Sequence, residues 1–243
     1  MSSLSQPTFD QYAHNYDDVL NAAIAASGET KEYFARGRMV WLADRLRRHA
    51  ASARSVLDFG CGTGTSTRLF FEILAAESVL GLDVSPASIA VAARDHRSAG
   101  TNFTLVERHV PEGRFELAFS NGVFHHIPVE DRLQAVDHVI RSLCPGGLFA
   151  FWENNAWNPG SRYCMWVNPF DRDAVPISPL AGARLLRRAG LEILETTFLF
   201  FFPRSLGLLR PLEPRLCRLP LGAQYLILAR KPSRAPSANE AGR

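Results

Sequence analysis

The chain has 243 residues, of which 47% are hydrophobic and 21% are charged, a composition that excludes a disordered or fibrous protein. The formal charge is +3, but eight basic and two acidic residues lie from Arg204 onward. The rest of the chain is therefore mildly acidic, which argues against a nucleic-acid-binding core. The four cysteines are scattered along the chain, which argues against a disulfide framework and a zinc knuckle. No apolar run approaches the roughly 20 residues of a membrane span, which argues against stable membrane insertion.

The N-terminal segment, residues 1–50, is predicted to form a helical cap. It carries Asp10, Asp17 and Asp18 and no basic residue before Lys31. Such a start is typical of neither a secretion signal nor an Arg-rich transit peptide, and it favours a cytoplasmic protein.

Helices and strands alternate along the rest of the chain. Helices are predicted over 30–50, 69–74, 85–97, 130–143 and 178–189, and strands over 55–59, 78–84, 102–107, 115–120, 148–153, 192–202 and 223–230. This alternation predicts a single α/β domain, residues 1–231, with a largely parallel sheet and helices on both faces. About seven residues separate strands three and four, too few for a crossover helix, so a bare loop or a different pairing of strand three is expected. The Ser-, Pro- and Ala-rich tail, residues 232–243, is predicted to be disordered.

A glycine-rich loop follows the first strand, in the stretch Val56–Gly64. A strand, a glycine turn and a helix N-terminus together form a pocket in which backbone approaches a ligand closely. Dinucleotides and S-adenosylmethionine (SAM) both bind to such loops. Here Asp58 ends the strand, and a carboxylate there would repel a pyrophosphate but attract the α-ammonium group of SAM. Thr65 also stands where a G-x-G-x-x-G motif has its last glycine, so the sequence favours SAM.

The second strand ends in another acid, Asp83, 25 residues after Asp58. In a βαβ unit this carboxylate faces the ribose of a nucleoside and can accept from both hydroxyls. A structural or helix-capping role is open for each acid alone, but their joint placement favours a nucleoside ligand.

The chain resembles the class I SAM-dependent methyltransferases over about residues 53–155. The resemblance is carried by Val56–Gly64, by Asp83 at the next strand end, by His125-His126-Ile127-Pro128 and by Leu143-Cys144-Pro145-Gly146-Gly147. It implies a Rossmann-like, mostly parallel seven-stranded sheet whose last strand is antiparallel. It also implies that SAM is the cofactor and that methyl transfer is the reaction.

The resemblance also implies a set of cofactor-binding residues. The residues expected to surround the methionine part of SAM are Asp58, Gly60, Cys61, Gly62 and Gly64. Asp83 and its neighbour Val84 are expected at the ribose, Glu107 near the adenine, and Asn121 and Gly122 near the methyl group. Tyr12 and Tyr16 resemble the N-terminal cap that many small-molecule methyltransferases fold over SAM, with Tyr12 as a cofactor contact and Tyr16 as a catalytic candidate. A purely structural role for both tyrosines is open.

The chemistry directs attention to two adjacent histidines. Methyl transfer needs an aligned acceptor, and a hydroxyl acceptor also needs a base with a pKa near the working pH. His125 and His126 follow the fourth strand, at the edge where open α/β sheets place their ligands. One of them, with a slight preference for His126, is predicted to be the base; a hydrogen-bonded loop histidine is the alternative.

The acceptor site is predicted in a long, irregular lid over residues 154–179. Long loops inside compact domains are often functional, and this one is rich in aromatic residues. Its polar and stacking contacts are expected from Glu153, Asn154, Arg162 and Tyr163. A packed structural insertion is the alternative.

The sequence therefore predicts an O- or N-methyltransferase acting on a small-molecule acceptor such as a sugar, lipid or polyketide. No metal site is predicted, and the oligomeric state stays open. A nucleic-acid target is disfavoured, because Ser120-Asn121-Gly122-Val123 stands where such enzymes carry a Pro-Pro-aromatic motif. A catalytically idle SAM-binding scaffold and a nicotinamide-dependent oxidoreductase are the alternatives. The Leu- and Arg-rich segment 204–218 is expected to be a packed connector, with contact to a membrane or lipid as the less favoured possibility.

Overall fold

The computed structural model describes residues 16–233, and it describes only the backbone of residues 16–18. Its strands are β1 Ser55–Phe59, β2 Ser78–Asp83, β3 Thr101–Leu105, β4 Phe115–Asn121, β5 Leu143–Asn154, β6 Glu192–Leu199 and β7 Gln224–Arg230. Its helices are α1 Tyr16–Ile24, α2 Lys31–Arg48, α3 Thr67–Leu74, α4 Pro86–Asp95, α5 Arg132–Ser142, α6 Pro159–Val167, α7 Pro179–Arg188 and α8 Glu213–Leu216. Short 3₁₀ turns lie at Ala25–Ser27, Val106–Arg108, Phe124–His126, Pro169–Asp171 and Arg204–Leu212.

The seven strands form one sheet in the order β3-β2-β1-β4-β5-β7-β6. β7 runs antiparallel to both β5 and β6, and the pairs among β1 to β5 are parallel. The predicted α/β fold is therefore confirmed. The connection from β3 to β4 contains a 3₁₀ turn and no crossover helix, as its length requires.

Alternation along each strand sends side chains to two cores. On β1, Leu57 joins the core formed with α5 and α7, whereas Val56 joins the core formed with α2 and α3. β5 divides in the same way, with Phe151 on the first face and Trp152 on the second, both fully buried. Helices thus cover both faces of the sheet, and the loops at the carboxyl ends of β1, β2, β4 and β5 meet at one edge.

Three of the described helices begin with a polar N-cap residue followed by proline, a start signal that is visible in the sequence. Ser85 accepts a hydrogen bond from the Ser88 N–H and Ser178 from the Ala181 N–H, each with proline at the first helical position. The same signal stands at Asn158, which accepts from the Ser161 N–H and is followed by Pro159. The segment 154–179 is therefore not irregular as expected, since α6 and a 3₁₀ turn fill much of it; its role as a lid stays a prediction.

The segment between β6 and β7 also differs from the prediction of a packed connector. It forms 3₁₀ and α-helical turns in which no residue is buried. All its leucines except the half-buried Leu216 are exposed, with Leu208 98% exposed. Within residues 16–233, every helix is too short or too polar to span a bilayer.

Candidate active site

The glycine loop after β1 is tied to the end of β2. The backbone N–H groups of Gly60 and Cys61 both donate to the Leu82 carbonyl, at 2.7 and 2.9 Å. Gly60, Gly62 and Gly64 all have positive φ angles, which favour glycine. A Cβ on Gly60 would lie 2.2 Å from Val123, whereas a Cβ on Gly62 would meet nothing within 4 Å. The loop is packed beneath Gly60 and open above Gly62, as a ligand cradle requires.

Asp58 places a buried carboxylate directly behind this loop. The residue is 3% exposed, and its Oδ2 has no hydrogen-bond partner among the described residues. Burial raises the pKa of the carboxyl to about 8; the charge of Asp83 adds to this rise and that of Arg38 opposes it. A buried acceptor without a partner is costly, and a cationic ligand group would satisfy it. This carboxylate therefore fits the α-ammonium group of SAM.

Asp83 braces the loop as well as facing the ligand side. Its Oδ2 accepts from the Gly62 N–H at 2.8 Å and its Oδ1 from the Ser85 N–H at 2.9 Å. Both carboxylate oxygens of Asp83 are thus engaged at the junction of the glycine loop and α4.

The other predicted cofactor residues near this edge differ in what their side chains can reach. The Cys61 thiol is buried near Gly81, and burial raises its pKa well above the usual range, so Cys61 can offer a ligand only its backbone. Val84 packs against the core. Glu107 is exposed in the turn that follows β3, at the same edge as Asp83. Tyr12 lies outside the described residues, and only the backbone of Tyr16 is described, at the start of α1.

His125 lies between two carboxylates. Its Nδ1 is 2.5 Å from Glu153 Oε2 and its Nε2 is 3.2 Å from Asp171 Oδ1, and all three side chains are buried. Burial alone would lower the pKa of His125, but the charge of Glu153 and the hydrogen bonds to both carboxylates raise it to about 10. The same imidazolium holds the pKa of Asp171 below its usual range, although burial opposes this. These contacts favour His125 as a cation that holds the cluster together, and they do not support its predicted role as a base.

His126 reaches the same cluster from the cavity side. Its Nε2 lies 3.4 Å from Asp171 Oδ1, and the side chain is 19% exposed. Burial and the neighbouring His125 cation lower its pKa to about 3, against the pull of Asp171. A side chain with this lowered pKa takes up a proton poorly at neutral pH, which does not favour the predicted role of His126 as a base, although its position in the cavity lining is the one predicted.

His125, His126 and Asp171 each offer one atom that can bind a metal ion, an imidazole nitrogen or a carboxylate oxygen. These three atoms lie within 4.8 Å of one another, a spacing that a metal ion could bridge. The polar atoms of the cluster also hydrogen bond to one another. A His125 imidazolium donates to Glu153 and to Asp171, while Asn168 Nδ2 donates to the second oxygen of Asp171 at 2.9 Å.

An inner cavity of about 120 Å³ opens beside this cluster. Its polar lining comes from α2, from the ends of β4 and β5, from the start of β7, from the turn after β4 and from the segment after α6. These residues are Lys31, Arg38, Asn121, His125, His126, Asn154, Asn168, Asp171 and Gln224. Arg38 Nη1 donates to Gln224 Oε1 at 2.9 Å, and Lys31 Nζ donates to Thr65 Oγ1 at 2.6 Å. The described lining thus holds two basic side chains, Lys31 and Arg38, whereas the His125 imidazolium is already offset by Glu153 and Asp171. With Glu153 included, three positive groups stand against two negative ones, and the net charge is positive.

An outer cavity of about 370 Å³ adjoins the inner one and shares Ile24, Phe34, Asn154, Cys164 and Gln224 with it. Its walls are largely aromatic: Tyr33, Phe34, Tyr163, Phe200, Phe201 and Phe202. The two cavities together form a path from a polar, positive end to an apolar chamber.

Two of the four predicted acceptor residues lie on this path. Asn154 lines both cavities and Tyr163 lines the outer one. Arg162 is exposed and lines neither. Glu153 is 1% exposed and accepts from the Phe124 N–H and from His125, so it positions the turn after β4 and does not contact an acceptor.

Sequence reasoning missed several of the lining residues. Lys31 and Arg38 lie on one side of α2, for which the sequence predicts a helix but no site residue. Asp171 and Gln224 come from segments distant in sequence, and no local pattern marks them. The Asn158-Pro159 helix start is the one signal that could have placed α6, and hence Tyr163, against the site.

Comparisons with known proteins agree with this arrangement. A family model described as a methyltransferase domain matches residues 56–147. A probable S-adenosylmethionine-dependent methyltransferase of Mycolicibacterium smegmatis is 30% identical over 195 residues, which cover 76% of this chain and 72% of the relative. A trans-aconitate 2-methyltransferase of Escherichia coli (strain SE11) is 31% identical over 195 residues, covering 72% and 74%.

Solved structures share the fold. The N-methyltransferase NodS of Bradyrhizobium japonicum WM9, in complex with S-adenosyl-L-homocysteine, superposes with a TM-score of 0.62 at 16% identity, covering 95% of this chain and all of that one. A methyltransferase from Mesorhizobium loti superposes with a TM-score of 0.56 at 23% identity, covering 74% and 92%. The idle scaffold and the oxidoreductase are thereby set aside: the chain belongs to the class I SAM-dependent methyltransferases and is an enzyme that uses SAM.

Proposed function

We propose that this enzyme methylates an oxygen of a small amphiphilic acceptor, and that a carboxylate is the acceptor group that the site fits best. The observation that carries the proposal is the pair of basic side chains, Lys31 and Arg38, in the lining of the inner cavity, where the His125 imidazolium is already matched by Glu153 and Asp171. A carboxylate is already ionised at neutral pH, so it needs no base, and His126 is not suited to be one.

SAM supplies an electrophilic methyl group when it is bound. The chain's own residues would hold it at the glycine loop, with the Asp58 carboxylate accepting from the ammonium group and Asp83 accepting from the ribose hydroxyls. Gly62 leaves the space that the ligand needs. Asn121 and Gly122, which line the inner cavity, place the acceptor's reacting end near the methyl group. Orienting the two reactants contributes about 7–11 kcal/mol to such a reaction.

The outer cavity sets the rest of the acceptor. Its aromatic walls and its volume of about 370 Å³ suit an apolar body that extends from a charged head. The trans-aconitate 2-methyltransferase relative is named for an organic acid, which supports a carboxylate head, although the aromatic outer chamber favours a less polar body here.

The test compares acceptors that share a chain and differ only in the head group: octanoate, octanol and octylamine. Release of S-adenosylhomocysteine and the mass of the product are followed for each. We expect kcat/KM at least tenfold higher for octanoate than for the other two, and expect Lys31→Met to raise KM for octanoate without changing the slow rate with octanol. Preference for octanol or octylamine would contradict the carboxylate assignment.

A further inference from the structure

Six leucines between β6 and β7 lie on the surface and are each at least 40% exposed. They are Leu206, Leu208, Leu209, Leu212, Leu219 and Leu221, here called the leucine surface. Leu208 is 98% exposed and Leu221 is 62% exposed. Several exposed apolar side chains within one short segment mark an interaction site more often than isolated ones do.

The charge of this surface is positive. Arg204, Arg215 and Arg218 are exposed among the leucines, and none of them makes an ion pair within residues 16–233. The one acid of the segment, Glu213, is occupied, because its two carboxylate oxygens accept from the Phe200 and Phe202 N–H groups at 3.2 Å each. An apolar surface with unpaired arginines is complementary to an anionic lipid layer.

The segment is held in place, so the exposure of its leucines is a property of the folded state. Arg210 Nη2 donates to Glu29 Oε1 at 2.8 Å, and its guanidinium lies 4.6 Å from the Tyr33 ring centre. At the other end of the segment, Asn158 Nδ2 donates to the Leu221 carbonyl at 2.6 Å. These contacts fix the leucines in an outward orientation.

The leucine surface is also continuous with the outer cavity. Phe202 and Pro203 line that cavity and lead directly into the 3₁₀ turn Arg204–Leu212. Asn158, whose side chain donates to the Leu221 carbonyl, also lines the cavity. The turn is kinked at Leu206 and contains Pro211, so the segment cannot present one continuous amphipathic helix. Its leucines would instead enter a membrane from separate turns.

We propose that the leucine surface docks the enzyme peripherally on an anionic lipid bilayer, with the leucines in the interface and the arginines at the lipid phosphates. The outer cavity then lies next to the membrane, from which an amphiphilic acceptor can enter; this last clause rests on the proposed function, whereas the docking itself does not. A second copy of the chain is the competing occupant.

The experiment measures co-flotation of the full chain with vesicles of phosphatidylcholine alone and of phosphatidylcholine with phosphatidylglycerol. The wild-type protein should float with the phosphatidylglycerol vesicles, less so at high salt, and poorly with phosphatidylcholine alone. Leu208→Glu and Leu221→Glu should each weaken the association at least tenfold, about 1.4 kcal/mol. Val110→Glu is the matched control, since Val110 is 73% exposed outside this surface, and it should float like the wild type.

Three results would overturn the docking proposal: no flotation with either vesicle, equal loss in Val110→Glu and Leu208→Glu, or a dimer in sedimentation equilibrium that Leu208→Glu abolishes while vesicles bind neither protein. The last result would assign the surface to a second copy. Calorimetry with S-adenosylhomocysteine on each variant shows whether it is folded. The head-group comparison is run without vesicles, so its failure is distinguishable from failure of docking.

Discussion

The Nδ1 of His125 lies 2.5 Å from Oε2 of Glu153, and this contact joins the turn after β4 to the end of β5. Both side chains are buried, and Glu153 also accepts from the Phe124 N–H at 2.8 Å. The pair therefore fixes the backbone that carries the inner cavity. Its role is to position the site, although each residue had been expected to act on substrate.

Glu153→Gln should lower the free energy of unfolding by about 3 kcal/mol, because it removes one charge from a buried pair and leaves the other in place. Urea unfolding followed by circular dichroism measures this. Glu112→Gln is the control, since that exposed acid lies 3.5 Å from Arg114 and should contribute less than about 1 kcal/mol. A loss below about 1 kcal/mol for Glu153→Gln would show that Asp171 alone satisfies His125.

Asp58 should make the cofactor-free enzyme less stable as the pH rises. Its folded-state pKa of about 8 lies above that of an unfolded aspartate, so the folded state retains a proton that the unfolded chain has lost. Stability from this group is therefore full below about pH 4 and falls towards about pH 8, by at most about 1.4 kcal/mol per pH unit.

Urea unfolding of wild type and Asp58→Asn across this pH range isolates the effect, because the other titrating groups are common to both proteins. The difference in stability should shift in favour of Asp58→Asn as the pH rises. A difference that stays constant with pH would mean that Asp58 is ionised in the folded state.

Asp83→Asn should weaken the binding of S-adenosylhomocysteine about tenfold or more and also lower stability by about 1–3 kcal/mol. The stability cost follows because an amide has one acceptor oxygen and cannot serve both the Gly62 and the Ser85 N–H groups. Asp95→Asn, at an exposed position on α4, is the calorimetric control. Unchanged affinity in Asp83→Asn would remove the ribose assignment.

Gly62→Ala and Gly190→Ala form a matched pair. Both glycines have positive φ angles, and an added Cβ meets nothing within 4 Å at either position, so both substitutions strain the backbone by a comparable mechanism. Only the Gly62 methyl group would project above the proposed cofactor cradle. Binding of S-adenosylhomocysteine should fall at least tenfold in Gly62→Ala and stay unchanged in Gly190→Ala; equal affinities would place the ligand elsewhere.

The elements that local chemistry specifies were predictable from the sequence. The period of apolar residues gave the strands, and Ser85-Pro86 and Ser178-Pro179 gave two helix starts. α6 was not predicted, because the segment 154–179 was expected to be irregular, even though Asn158-Pro159 carries the same start signal. The antiparallel β7 was expected from the family resemblance, since no local pattern in its residues sets strand direction.

The sequence predicts the part of the candidate site that lies at the ends of β1 and β2. It does not predict the part that is formed where segments distant in sequence meet. The glycine loop, Asp58 and Asp83 are adjacent as the βαβ pattern requires. The roles of His125 and His126 depend on Asp171, 46 residues from His125 in sequence, and a histidine's titration is set by such neighbours. The positive inner cavity likewise arises only when α2 packs beside β7, which brings Arg38 to Gln224.

The central claim is that the buried Asp58 carboxylate holds the ammonium group of the cofactor. With a pKa of about 8, Asp58 is mostly protonated below neutral pH in the free enzyme, and it must lose that proton to pair with a cation. Calorimetric titration of S-adenosylhomocysteine just below neutral pH, in buffers of different ionisation enthalpy, counts the protons released. The account predicts release of about one proton from the wild type and none from Asp58→Asn. No release from the wild type, or equal release from both proteins, would contradict it.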